Sequence, residues 1–166
     1  MSPVPMGKIK TAKEVGAIAE SLRKEGRKIV TTNGVFDILH LGHITYLQKA
    51  RELGDVLIVG VNSDASVKRI KGPKRPLNDE LSRAACLASL ECVDYVVVFN
   101  EDDPINLLSN IKPHIHVKGG DYKGKEDSIV EKGLVERDGG KIVLVEMVKG
   151  YSTSSLIRKI IRVFRE

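Results

Sequence analysis

The chain has 166 residues, 42% hydrophobic and 30% charged, with a formal net charge of +5 at neutral pH, which suits one globular domain with a single sizeable core. Tryptophan is absent and aromatics reach only 4%, so there is no evident platform for stacking single-stranded nucleic acid. The N-terminus lacks the apolar core of a signal peptide and no uncharged run is long enough to span a bilayer, so a cytoplasmic protein without membrane contact is expected.

Thr11 with Glu14 three residues on is a capping-box pattern, and Gly26 closes the helix that it opens. Residues 1–26 are thus expected to form an N-terminal helix packed on a domain of residues 27–166. "RKIVTT" is a short β-branched strand, and apolar positions Ile44, Leu47, Ala50 and Leu53 predict a helix from Leu41, stopped by Gly54. "DVLIVGV" (55–61) is apolar without alternation, as in a parallel strand covered on both faces. A basic loop containing Gly and Pro follows, then a helix in "DELSRAACLASL", a strand "YVVVF", a short helix "PINLLSNI" and a strand "IHVKG". A polar helix over 126–137, a strand "KIVLVEM" and a helix from about Ser154 to Phe164 complete the chain.

Strand and helix alternate five times, which predicts an α/β fold: one Rossmann-like, five-stranded parallel sheet flanked by helices. Ligands of such sheets bind beyond the carboxyl ends of the strands, here residues 32–43, 62–75, 100–103, 118–125 and 147–154. Cys86 and Cys92 sit in apolar surroundings without metal spacing and read as buried free thiols in a reducing compartment.

The stretch "TTNGVFDILHLGH" places His40 and His43 on one face of a helix's first turn, just after a strand and the Asn33-Gly34 turn. Free N–H groups and the positive end of the dipole make that turn a site for phosphate. Both imidazoles can donate to phosphate oxygens, Gly42 lets an anion approach the backbone, and Asp37 can hold the turn. Zinc held by all four histidines is disfavoured, because His114 and His116 belong to the opposite end of the sheet. "GGDYKGK" (119–125) imitates a P-loop, but Glu126 stands where a hydroxyl should hold magnesium. Ser152, Thr153 and Ser154 fit either a helix cap or a second phosphate site.

These residues together resemble the cytidylyltransferase-like nucleotidyltransferases, whose H-x-G-H signature stands here as His40-Leu41-Gly42-His43 and whose hydroxyl-rich terminal motif resembles Ser152-Thr153-Ser154. "TNGVFDILHLGH", "VNSDASVKRIKG", "RPLN" and "VKGGDY" narrow the likeness to the adenylyltransferases that activate D-glycero-β-D-manno-heptose 1-phosphate. The resemblance implies transfer of AMP from ATP to that sugar phosphate, with Mg2+ carried by the triphosphate rather than by a fixed protein site. It implies catalytic roles for His40, His43 and Lys71, with Arg75 and Arg83 as candidates for the substrate phosphate. Asn33, Gly34, Phe36, Asp37 and Gly42 would contact nucleotide from the first motif, Lys118, Gly120 and Asp121 from the second, and Ser152–Ser154 from the last. A homodimer is implied too, and a separate sugar kinase to supply the substrate. Cytidylyltransferase relatives carry an arginine before the final hydroxyl motif, where this chain offers Met147 or Lys149.

A phosphate monoester, with its second pKa about 6, is already mostly dianionic near neutrality and needs no general base. It needs cations and N–H donors that bring two anions into line. Two other readings are a cytidylyltransferase acting on glycerol 3-phosphate or another small phosphate, and a nucleic-acid-binding module using the basic run 67–75.

Overall fold

Every residue of the unalternating run Val56–Asn62 is buried. In the computed structural model, which describes residues 5–146, 148 and 150–165, the run is the third of six strands in one sheet. The strands are β1 (Ile9–Lys10), β2 (Ile29–Gly34), β3 (Val56–Asn62), β4 (Tyr95–Phe99), β5 (Ile115–Gly119) and β6 (Lys141–Val145). Their order is β1-β4-β3-β2-β5-β6, and every pairing is parallel.

The helices are α1 (Ala12–Lys24), α2 (Leu41–Arg51), α3 (Asp64–Lys71), α4 (Glu80–Ala88), α5 (Ile105–Ile111), α6 (Lys132–Arg137) and α7 (Thr153–Phe164). Side chains alternate along β3. Leu57, Val59 and Val61 pack with Leu47 and Ala50 of α2 and with Ala84 and Leu87 of α4. Val56 and Ile58 pack with Val15 and Ala19 of α1 and with Leu107 and Ile111 of α5. Two cores, one on each face, explain why the strand shows no polar side. The box at Thr11 is formed: Glu14 N–H donates to Thr11 Oγ1 at 3.2 Å, and Thr11 N–H donates to Glu14 Oε2 at 2.7 Å.

Four expectations need correction. The sheet has six strands, not five: β1 is two residues paired with Val96 and Val97, too short to show a period. The basic stretch after β3 is not a loop through its first half. Ser63 caps α3 by accepting from Ser66 N–H at 3.1 Å, and Gly72, at φ 92°, ends it. The polar helix 126–137 is broken into a 3₁₀ turn, Glu126–Ser128, and α6. Cys86 is exposed and Cys92 half-buried, because Ala84, Leu87 and Ala88 form the inward face of α4. No helix of the described residues is long and apolar enough to cross a membrane.

Candidate active site

The chain runs from β2 outward to β3 and β4, then returns to β5 on the other side of β2. The carboxyl ends of β2 and β5 therefore flank the switch point where such sheets take ligands. Beyond β2 the backbone doubles back through Phe36, at φ 49°, and the Phe36 ring meets His43 edge-on with centroids 5.3 Å apart. Gly34 permits this, since a Cβ there would come within 3.0 Å of the Phe36 ring. His40 is the N-cap of α2, and its Nδ1 accepts from His43 N–H at 3.4 Å.

A hollow of about 410 Å3 opens over this turn. Its walls carry His43 from α2, Lys71 from the end of α3, Arg75 from the loop beyond, Asp121 after β5, and Ser152, Thr153 and Ser154 at the start of α7. Three separate stretches of sequence thus bring donors and cations to one place, and a fourth adds the Asp121 carboxylate. His40 stands behind His43 rather than on the wall, its ring stacked on His43 at 3.8 Å between centroids. His40 Nε2 and His43 Nδ1 are buried with no hydrogen-bond partner among the described residues. Burial, reinforced by the neighbouring His40, lowers His43 to about 4, and burial also lowers His40. Both rings are neutral at pH 7, each with one N–H to donate.

Some predicted contacts serve the protein instead. The Asp37 side chain is fully buried and accepts from Leu77 N–H, Asn78 N–H and Arg75 Nε at 2.6–2.9 Å. Burial alone would raise its pKa, but the Asn78 and Leu77 amides and the Arg75 guanidinium outweigh it and keep the carboxylate ionised. Asp37 borders the hollow as the latch of the 72–79 loop, and it leaves Arg75 one-fifth exposed on the wall. Arg83 is withdrawn from the phosphate candidates. It is fully buried and donates to Val35 O, Asn78 O and Asp64 Oδ1. Gly42 makes room for protein: a Cβ there would lie 3.1 Å from the His40 ring and from Tyr151 Cβ. Gly120 lets the chain after β5 pass Glu146, whose Cα would be 3.2 Å from an added Cβ. Ser152 is both cap and wall, since its Oγ accepts from Ser155 N–H at 3.0 Å.

A second cavity, about 360 Å3, adjoins the first on the α3 and α5 side. Asn33, Asn62, Asp102, Asp103, Lys118 and Tyr122 line it, and Lys71 borders both spaces. Asn62, Asp102 and Asp103 lie in the strand-end ranges read from sequence; Asn62 belongs to the "VNSDASVKRIKG" motif but was given no role, and the two aspartates carried no motif. Glu131, also on this wall, lies outside those ranges. The imitation P-loop forms a 3₁₀ turn, Gly120–Tyr122, and only a second 3₁₀ turn, Glu126–Ser128, follows Lys125 in place of the α-helix that a P-loop opens. His114 accepts from Ile29 N–H at 2.9 Å and His116 lies 2.8 Å from Thr31 Oγ1, so the second histidine pair is built into the sheet. Among the described residues no group of three His, Cys, Asp or Glu is placed to hold a metal ion. Met147 and Lys149 lie outside the described residues.

Residues 31–159 match the family model described as cytidylyltransferase-like. The chain is 52% identical over 159 residues to the bifunctional protein HldE of Geobacter metallireducens, covering 96% of this chain and 32% of that protein. It is 57% identical over 151 residues to the bifunctional protein HldE of Nitratiruptor sp., covering 91% of this chain and 31% of that protein. It thus spans about a third of the length of these curated relatives. The crystal structure of the lipopolysaccharide core biosynthesis protein from Thermoplasma volcanium superposes with a TM-score of 0.62 at 37% identity, covering 76% of this chain and all of that one.

Proposed function

This chain belongs to the cytidylyltransferase-like family, and on that premise we propose that it transfers AMP from ATP to D-glycero-β-D-manno-heptose 1-phosphate. The products are ADP-heptose and pyrophosphate, a precursor step for a surface saccharide. The observation that carries this reading is the single hollow walled by His43, Lys71, Arg75 and Ser152–Ser154, with Lys71 shared by the adjoining cavity.

The hollow takes the triphosphate. Neutral N–H and O–H donors with two cations grip phosphate oxygens and meet the charge that grows on pyrophosphate as it leaves. The adjoining cavity takes the sugar phosphate: its amides, carboxylates and Tyr122 suit a polyol, whose hydroxyls both donate and accept. Lys71, where the two spaces meet, bridges the α-phosphate and the attacking phosphate and offsets their repulsion. Magnesium would arrive with ATP and, when bound, would supply charge neutralisation.

A sugar kinase activity supplies the 1-phosphate, and a reaction that consumes ATP belongs in the cytoplasm. The working unit is a homodimer, for which exposed Ile160, Ile161, Val163 and Phe164 on α7 offer an apolar surface. Sedimentation at micromolar concentration tests that. A nucleic-acid module is less well supported, because several cations of the basic run already face partners or the hollow within the protein. Arg69 pairs with Asp102 at 2.8 Å, Arg75 with Asp37, and Lys71 lines the hollow.

Pyrophosphate release by purified protein, with ATP or CTP against heptose 1-phosphate or glycerol 3-phosphate, tests the reaction. Release with ATP and the heptose phosphate is expected. Release confined to CTP and glycerol 3-phosphate would replace this reading with its nearest rival.

A further inference from the structure

Glu131 belongs to none of the motifs, yet its side chain is only 2% exposed, just before α6. Its Oε1 lies 2.5 Å from Lys118 Nζ and 3.2 Å from His116 Nε2. His116 is fully buried, and its Nδ1 is 2.8 Å from Thr31 Oγ1. Lys118 Nζ also donates to Asn33 Oδ1 at 3.0 Å and sits 5.7 Å from the Tyr122 ring centroid. Lys118, Asn33 and Tyr122 face the same cavity as Lys71.

The charges of this group are settled by its neighbours. Burial opposes ionisation of Glu131, but the hydrogen bond from His116 and the Lys118 ammonium outweigh it and hold the carboxyl at about 2. Burial keeps His116 neutral. Its Nε2–H then donates to Glu131, while Nδ1 accepts from the Thr31 hydroxyl. One acceptor just before α6 and one near the end of β2 therefore fix an ammonium carried on a flexible four-carbon stem.

We propose that Glu131 is a positioning residue of the transfer reaction. It holds the Lys118 ammonium against the acceptor cavity that Lys71 also lines, so that the incoming sugar phosphate meets a fixed cation as well as Lys71. This rests on the proposed transfer to a sugar 1-phosphate. Glu131 acts through Lys118, because a carboxylate repels the phosphate it would otherwise face.

The test is a double-mutant cycle on the full chain with Glu131→Gln, Lys118→Met and both together. Turnover, KM for each substrate and calorimetric Kd for the sugar phosphate are the readouts. Glu131→Gln should lower kcat/KM for the sugar phosphate about ten- to hundredfold, the scale of a misplaced reactant, and leave KM for ATP within about twofold. In the Lys118→Met background the same change should cost nothing further. The double variant removes both charges and should melt above Lys118→Met alone, which strands a buried carboxylate. It also carries the comparison should Glu131→Gln not fold.

Equal losses from Glu131→Gln in both backgrounds, or unchanged kinetics in the single variant, would overturn the role. If wild-type protein releases no pyrophosphate with ATP and any sugar 1-phosphate, the transfer reading fails and the inference with it. Turnover with independent losses overturns the inference alone.

Discussion

On one side of the β2 end, His40 and His43 keep two buried ring nitrogens without a hydrogen-bond partner among the described residues. On the other side, Lys118 is bonded to Glu131 and Asn33, and Glu131 in turn to His116. A buried donor with no acceptor costs stability, whereas a satisfied ionic network holds its members in one geometry. On the proposed reading, a ligand would supply the partner that the His43 ring lacks, with His40 stacked behind it. The lysine side is arranged before any ligand arrives.

The comparison breaks most sharply at His43. His43→Ala should lower turnover about a hundredfold or more, the scale of losing a preorganised donor, while the melting temperature stays near that of the parent. Near-native turnover in a well-folded variant would end the phosphate role. Lys71→Ala, at the junction of the two cavities, should act almost as strongly and chiefly on kcat. A change confined to ATP affinity, read from separate KM values, would place Lys71 on the triphosphate alone.

Asp37 sharpens the contrast between site and support. Asp37→Ala leaves two amides and Arg75 without their buried acceptor and should cost about 3 kcal/mol in urea unfolding. A loss below about 1 kcal/mol would show that the 72–79 loop needs no latch.

A milder effect follows from pH. Burial lowers all four histidines in the fold, while unfolded histidine titrates near about 6.5. Below that value the unfolded chain binds more protons, so stability is complete above about pH 6.5 and falls as pH drops toward the folded values. Melting temperature should therefore decline from pH 7 to pH 5. Glu131, held at about 2, adds its own loss only further down, below its unfolded value of about 4.3. A flat profile between pH 7 and 5 would contradict the buried, neutral imidazoles. Smallest of all, Thr11→Ala should cost about 1 kcal/mol through the lost cap of α1 and leave turnover unchanged, since α1 lies away from both cavities.

Much of the histidine side could be read from sequence because its information is local. A strand, a turn, His40 and His43 lie within thirteen residues, and the unalternating β3 announced a sheet covered on both faces. What stayed hidden depends on residues distant in sequence. Asp37 reads as a site residue until Leu77 and Asn78 are seen to occupy its oxygens. Arg83 looks like a free cation until Val35 and Asp64 surround it. Glu131 acquires a role only when α6 sets it against β5. The α3 helix went unread because its lysines and arginines suggested solvent, although Ser63 and Ser66 already supplied a cap.

The most direct measurement is an NMR titration of the imidazole nitrogens from pH 4 to pH 8, with and without saturating Mg-ATP. With nucleotide bound, His43 should titrate well above its value of about 4, as a phosphate favours the imidazolium, while His114 and His116 keep their curves. A His43 curve unmoved by saturating nucleotide would contradict a triphosphate seated in the histidine hollow.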